Sequence, residues 1–166
     1  MICAVCDTGP LLHLSEAHAL DALRHVDEIH APPLVIAEMN YHLADWETPP
    51  WVTIDALDAA HVAEAAAWLQ AELLHAGEAD AIALARQIDA DWLLTDDAAA
   101  RLFASELGLE VHGSLGVILW AAAVGHMDRP IAEQASTQLA ASSLWLSSRI
   151  LGEAWAALVE IYRIES

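Results

Sequence analysis

The sequence predicts an α/β fold: a sandwich built on a central, mostly parallel sheet of four or five short strands, with helices on both faces. Three observations carry that expectation. Uninterrupted apolar runs, residues 2–6 and 92–95 foremost, have the character of strands covered on both sides. Longer helical patterns separate the strands, an alternation that belongs with parallel sheets. The chain has 166 residues, 57% of them hydrophobic, which suffices for one sizeable core and argues against disorder.

Residues 2–6 form the first strand. Residues 10–26 read as a helix with Leu11, Leu12, Leu14, Leu20 and Leu23 on its apolar side. Residues 28–31 are a short second strand. Pro32-Pro33 opens the next helix, since proline suits a first turn, and residues 34–43 continue it. Thr48-Pro49-Pro50 breaks the chain, and residues 51–54 form a short extended piece. Residues 58–75 are alanine-rich and helical up to a break at Ala76-Gly77, and 78–88 form a further helix. The strand at 92–95 is followed by a helix over 98–107, which Gly108 ends. Residues 110–112 are a last short strand, and Gly113-Ser114 leads into a helix over 115–124. Beyond Gly125 and Pro130 the pattern is helical to the end, with breaks near Ser142-Ser143 and Gly152.

Charge narrows the function classes. Twenty-five acidic residues stand against six arginines and no lysine, a formal charge of −19. Affinity for nucleic acid normally comes from Lys and Arg neutralising phosphates, so this surface is ill suited to grip nucleic acid or an anionic membrane unaided. It suits a basic protein partner, a salt-rich cytoplasm with short screening lengths, or simply a solvated acidic surface. No basic region precedes the first apolar stretch, as a secretory signal would require, and the run 115–124 is too short to span a bilayer. The expectation is a soluble, cytoplasmic protein. Cys3 and Cys6 form a Cys-x-x-Cys within a strand, where the odd spacing points them to opposite faces. That predicts two buried reduced cysteines rather than a redox or zinc pair. The nine histidines lack zinc-ligand spacing, and only His112 lies near the strand ends that carry acids. Trp145 and Trp155, in the C-terminal helices, suit a protein interface or the core.

Four acidic positions stand where the alternation would gather them. Asp7 and the pair Asp96-Asp97 directly follow apolar strands, while Glu38 and Asp80 sit in the first turns of helices. Sites in open α/β sheets form beyond the carboxyl ends of the strands, and helices after parallel strands begin at that same edge. Each acid also has a plainer reading. Asp7, Asp96 or Asp97 can cap a helix, Glu78 and Asp80 suit the helix dipole, and Asp97 with Arg101 can form an i,i+4 pair. Glu38 differs, because it follows Leu34-Val35-Ile36-Ala37 on an apolar helix, where an acid needs a partner. Two unit charges about 4 Å apart repel by roughly 4 kcal/mol at an effective dielectric near 20. Clustered carboxylates without lysine therefore point to a divalent metal, and hard oxygens suit Mg²⁺ or Mn²⁺. Missing motifs remove rivals. Without lysine there is no receiver-domain or P-loop chemistry, and Asp7-Thr8-Gly9 lacks the Asp-x-Asp of a haloacid-dehalogenase-type phosphatase. Neither Gly-x-Gly-x-x-Gly nor Gly-x-Ser-x-Gly occurs. Metal-assisted phosphodiester hydrolysis by carboxylates survives.

In order along the chain these segments resemble a PIN domain, a family of metal-dependent ribonucleases that includes VapC-type toxins. Val5-Cys6-Asp7-Thr8-Gly9-Pro10-Leu11-Leu12 is similar to the opening Asp-Thr/Ser-Ser-Pro-Leu of one subgroup, with Gly9 where serine is usual. Residues 31–38, ending in Glu38, resemble the proline-rich entry to the helix bearing the second acid. Gly77-Glu78-Ala79-Asp80-Ala81-Ile82-Ala83-Leu84-Ala85 resembles the helix bearing the third, with Asp80 in place of a possible glutamate. Leu94-Thr95-Asp96-Asp97, with Arg101, resembles the strand-end acidic pair, and residues 107–117 the Gly-Thr-Leu-Gly-Val segment after it. The resemblance implies a three-layer sandwich, with a nuclease domain over 1–128 and a helical extension over 129–166 that packs on the same domain or on a partner. It also implies one or two Mg²⁺ or Mn²⁺ ions held by Asp7, Glu38, Asp80 and either Asp96 or Asp97, with Thr8 orienting a ligand or a bound water. Further implied are an RNA substrate, an antitoxin with a basic segment and a homodimer. A non-catalytic scaffold of the same fold, serving as a binding module, is the rival.

Overall fold

The unbroken apolar stretches become strands in the computed structural model, which describes residues 1–164; the last two residues of the expected helical extension lie outside the described residues. The strands are β1 (Cys3–Cys6), β2 (Glu28–Ala31), β3 (Val52–Ile54), β4 (Trp92–Leu94) and β5 (Glu110–His112). All pair in parallel, in the order β3-β2-β1-β4-β5. Ala4, Val5, Cys6, Leu93 and Leu94 are essentially removed from water, because helices cover the sheet on both sides of the central pair. The chain winds outward from β1 through β2 to β3, then returns to add β4 on the other flank of β1. That reversal opens a crevice at the carboxyl ends of β1 and β4, where ligands bind in open α/β sheets.

Among the described residues eight α-helices surround the sheet: α1 (Thr8–Glu16), α2 (Pro33–His42), α3 (Ala59–Gln70), α4 (Ala76–Gln87), α5 (Ala98–Glu106), α6 (Ser114–Ala123), α7 (Arg129–Ala140) and α8 (Ser148–Ile164). Helices α2, α3 and α4 form one packed group; α6, α7 and α8 form another; α1 touches both. Alanines 79, 81, 83 and 85 are all buried, and such small side chains let α4 lie directly on β1 and β4. In the C-terminal region α7 and α8 pack on α6, and the Tyr162 hydroxyl donates to the Met127 carbonyl at 2.8 Å. No helix of the described residues is long and apolar enough to cross a membrane.

Several helix boundaries differ from the expected ones. The span 10–26 is not one helix. α1 ends at Glu16, and a separate 3₁₀ helix (Leu20–His25) follows. His18 takes a left-handed conformation (φ 54°) while His18 N–H donates to Ser15 O and Ala19 N–H to Leu14 O. That paired closure is a Schellman C-cap. The same closure ends α3 at Glu72 (φ 58°), short of the expected His75, and α4 at Asp89 (φ 52°). The expected break at Ala76-Gly77 is instead the first turn of α4, and Gly152 lies inside an uninterrupted α8. A Cβ at Gly152 would meet nothing within 4 Å, so that glycine costs the helix only some backbone entropy. Both cysteines are free thiols. Cys6 is buried as expected, but Cys3 is only half-buried, because it opens β1 beside the exposed Glu28.

Candidate active site

Asp7 leaves β1 where its ladder with β4 runs on by one bond, Asp7 N–H to Leu94 O at 2.9 Å. The backbone then turns into α1, and Asp7 caps it: Oδ1 accepts the Thr8 N–H at 2.8 Å. Oδ2 accepts the Thr95 hydroxyl at 2.9 Å, across the sheet crevice. Asp7 is 5% exposed. Burial pushes its carboxyl up to about 7; the bonds from Thr8 and Thr95 act against this, and the Glu78 and Glu38 carboxylates act with it.

Glu38, on the apolar helix α2, meets the Thr8 hydroxyl, which donates to its Oε2. Its carboxylate occupies the space that a Cβ on Gly77 would fill. Glycine at the start of α4 therefore admits the acid against the helix. One residue on, Glu78 accepts the His75 N–H at 3.0 Å and closes a capping box. Thr95 N–H donates to His112 O and prolongs the ladder between β4 and β5 up to the acidic pair. Asp96 is the most heavily bonded acid. Its Oδ1 accepts the Ser114 N–H at 2.7 Å, and Oδ2 contacts the Ser114 hydroxyl at 2.6 Å and His13 Nδ1 at 2.7 Å. Burial pushes its carboxyl up, but the bonds from His13 and Ser114 outweigh it and hold the group below the usual carboxylate range. Asp97 is exposed and caps α5, with Oδ1 accepting the Ala100 N–H at 2.8 Å.

Asp7, Thr8, Glu38, Asp96 and Asp97 thus line one cleft of about 460 Å³. Asp80 does not. It lies one turn beyond Gly77 on α4, in a neighbouring shallow groove with Pro33, Leu34 and Ala37 of α2. Burial, and then Glu38, raise its carboxyl. Glu78 stands in the cleft instead. The residue pattern also passed over His13, His42 and His75, all of which line the cleft. His13 had a readable signal: Gly9, Leu12 and His13 follow the i, i+3, i+4 rhythm of one helix face. His112 lies outside the cleft, 4.3 Å from the Trp92 ring centre and 2.8 Å from Glu110.

Arg101 forms no ion pair with Asp97. Among the described residues each of the other five arginines has a carboxylate partner, whereas Arg101 has none. It reaches over Gly113, where a Cβ would come within 2.5 Å of Nη1 and 2.9 Å of Asp96 Oδ1. An apolar groove of about 680 Å³ continues from the cleft, sharing Asp96 and Leu144 with it, and carries Arg101, His112 and the exposed Trp145.

The donors are mainly hard oxygens, five carboxylates and the Thr8 hydroxyl, beside the imidazoles of His13, His42 and His75, with no lysine or arginine among the lining residues. A nearly buried carboxylate that faces two further acids is the arrangement a hard divalent cation fits. Among the described residues no three carboxylates of the cleft bring their ligand atoms within 4.8 Å of one another. A search of the curated proteins finds no match to the chain. A family model described as DUF3368, a PIN domain, matches residues 3–160, which include all five strands and the whole cleft. PIN domains are in general nucleases, and those nucleases use divalent metal ions. With the match running almost end to end over an all-parallel five-stranded sandwich, the chain belongs to the PIN-domain family.

Proposed function

We propose that this protein is a Mg²⁺- or Mn²⁺-dependent endoribonuclease and the toxin of a toxin–antitoxin pair. The observation that carries the reading is Asp7, a buried carboxylate at the sheet crevice with acids and no cation around it. Asp7, Glu38 and Asp97 would hold the metal, joined by Glu78 on the near side of α4; Asp80 would act from outside, through Glu38. Asp96, bonded by Ser114 and His13, anchors the start of α6 against the cleft and is the alternative to Asp97 as the ligand from the acidic pair. When bound, the ion supplies a Lewis acid for the phosphate oxygens and lowers the pKa of a bound water.

The protein's own groups do the rest. Thr8 fixes the Glu38 carboxylate and Thr95 fixes Asp7, so neither acid needs to reorganise when substrate arrives. Arg101, unpaired beside the acids, is the guanidinium that meets a substrate phosphate. The groove beyond it leads a single strand toward Trp145, on which a base can stack. The acidic cleft and the −19 charge suit an antitoxin whose basic segment lies across the site. Trp155 and Val159, four residues apart on α8 and both exposed, suit the homodimer contact.

The test is cleavage of end-labelled single-stranded RNA with Mn²⁺ or Mg²⁺, for wild type and Asp7→Asn, with circular dichroism as the check on folding. Metal-dependent cleavage that the folded variant lacks is the expected result. Equal cleavage by both proteins, or none by wild type with and without its partner present, would sink the reading.

A further inference from the structure

The opposite edge of the sheet carries a second set of donors that the nuclease reading leaves unused. Cys3 opens β1 and pairs in register with Glu28 of β2. Residues two apart on a strand share a face, so His30 stands on the same side as Glu28. His30 pairs with Thr53 of β3, and Asp55, two residues further on, comes to that side as well. Strand register thus assembles a thiol, an imidazole and two carboxylates from three separate places in the chain. Ligand atoms of Cys3, Glu28 and His30 all lie within 4.8 Å of one another. His30 Nε2 is 3.4 Å from Glu28 Oε2. Two ligands bound at about 2.0–2.1 Å to a tetrahedral ion stand roughly this far apart.

The second ring nitrogen supplies an independent observation. His30 Nδ1 lies 2.5 Å from Asp55 Oδ2. With Nδ1 engaged by Asp55, Nε2 is the ring nitrogen that faces Cys3 and Glu28, and it would offer its lone pair to an ion that replaces the contact with the Glu28 carboxylate. Zinc-bound histidines are usually supported in this way. Asp91 adds negative charge nearby, accepting the Cys3 N–H at 2.8 Å. An ordinary ion-pair network of His30 with two acids does not call for a thiol within 4.8 Å of the imidazole and the Glu28 carboxylate.

We infer that Cys3, Glu28 and His30 bind one Zn²⁺ ion, with Asp55 as the positioning residue behind His30 and water as the fourth ligand. Thiolate and imidazole select zinc over Mg²⁺ or Mn²⁺, which separates this site chemically from the cleft. Binding releases the thiol proton to solvent and leaves the thiolate on the metal. The ion would clip β1 to β2 and, through Asp55, to β3. The site starts from Cys3 and Glu28 at the amino ends of β1 and β2 and runs through His30 to Asp55, which follows β3; none of these residues lines the cleft, and the site does not depend on the nuclease proposal.

Cobalt(II) is the probe, added to the reduced full-length protein. The expected result is one equivalent of thiolate-bound cobalt, counted by thiolate-to-cobalt charge-transfer absorption in the near ultraviolet that Zn²⁺ abolishes by displacement; cobalt taken up by the carboxylate cleft gives no such band. Cys3→Ser and His30→Ala should each remove that absorption and weaken Zn²⁺ binding at least about tenfold, whereas Asp7→Asn should leave both unchanged. Cys3→Ser swaps one atom at a half-buried strand start and decides the matter if His30→Ala does not fold. Absence of the thiolate absorption in wild type, or its persistence in Cys3→Ser, overturns the inference.

Discussion

At the carboxyl ends of the strands the donor side chains sit on strand exits and helix starts, whereas at the amino ends they sit within the strands themselves. In the cleft, Asp7, Asp96 and Asp97 leave β1 and β4, and Glu38 and Glu78 come from helices, so each carboxylate is aimed by its own cap or hydroxyl. At the other edge, Cys3, Glu28 and His30 are aimed by the register between β1 and β2. The first set is all anionic and stays spread out; the second mixes a thiol and an imidazole with acids and closes to within 4.8 Å.

Removing one acid from the spread set breaks the comparison most sharply. Asp7→Asn should lower metal-dependent RNA cleavage by more than about 100-fold, while the cobalt–thiolate absorption at Cys3 stays as it was. A variant that loses both signals would make the two edges one system. A pH titration comes next. Asp7 titrates at about 7 in the folded protein, against an ordinary value of 3.8. Between those values the folded state keeps a proton that the unfolded chain has lost, so the Asp7 contribution to stability without metal falls as pH rises from about 4 to about 7. The drop is on the order of 2–4 kcal/mol. Chemical denaturation across that range should show the slope, Asp7→Asn should flatten it, and Mg²⁺ or Mn²⁺ should raise the melting temperature more at pH 8 than at pH 5. A wild-type profile as flat as the variant's would refute the buried-acid account.

Gly77→Ala acts on the cleft from behind. Its methyl would overlap the Glu38 carboxylate, so we expect a loss of roughly 1–3 kcal/mol in stability and about tenfold in cleavage. Unchanged kinetics would mean that Glu38 can leave Gly77 without consequence. The smallest effect touches neither edge. His18→Gly relieves a left-handed residue at the end of α1 and should stabilise the protein by roughly 1 kcal/mol, read in the melting temperature, with cleavage and cobalt binding both unaltered.

Those left-handed residues also explain where the chain misled a reader. Gly108 and Gly125 end α5 and α6 at φ 84° and 80°, and a glycine at a helix end is legible. His18, Glu72 and Asp89 perform the same closure without glycine, so the ends of α1 and α3 fell short of the apolar pattern. Gly152 and Gly77 erred in the other direction, since a glycine can serve open space or a neighbouring carboxylate as well as a break. In the cleft, the strand-end acids could be placed from sequence because apolar runs mark strand ends. Helix acids were harder: Glu78 and Asp80 are two residues apart, about 200° around a helix, and only packing decides which one faces inward.

What the sequence determined by itself is the alternation of short buried strands with helices, the acids at the ends of β1 and β4, and the hard-oxygen character of their edge. These follow from hydrophobic periodicity and residue type, which are local. Tertiary structure decided the choice of Glu78 over Asp80 for the cleft, the bond from His13 to Asp96, and the meeting of Cys3 with Glu28, His30 and Asp55. Each depends on helix rotation or strand register, and those are set by how whole elements pack.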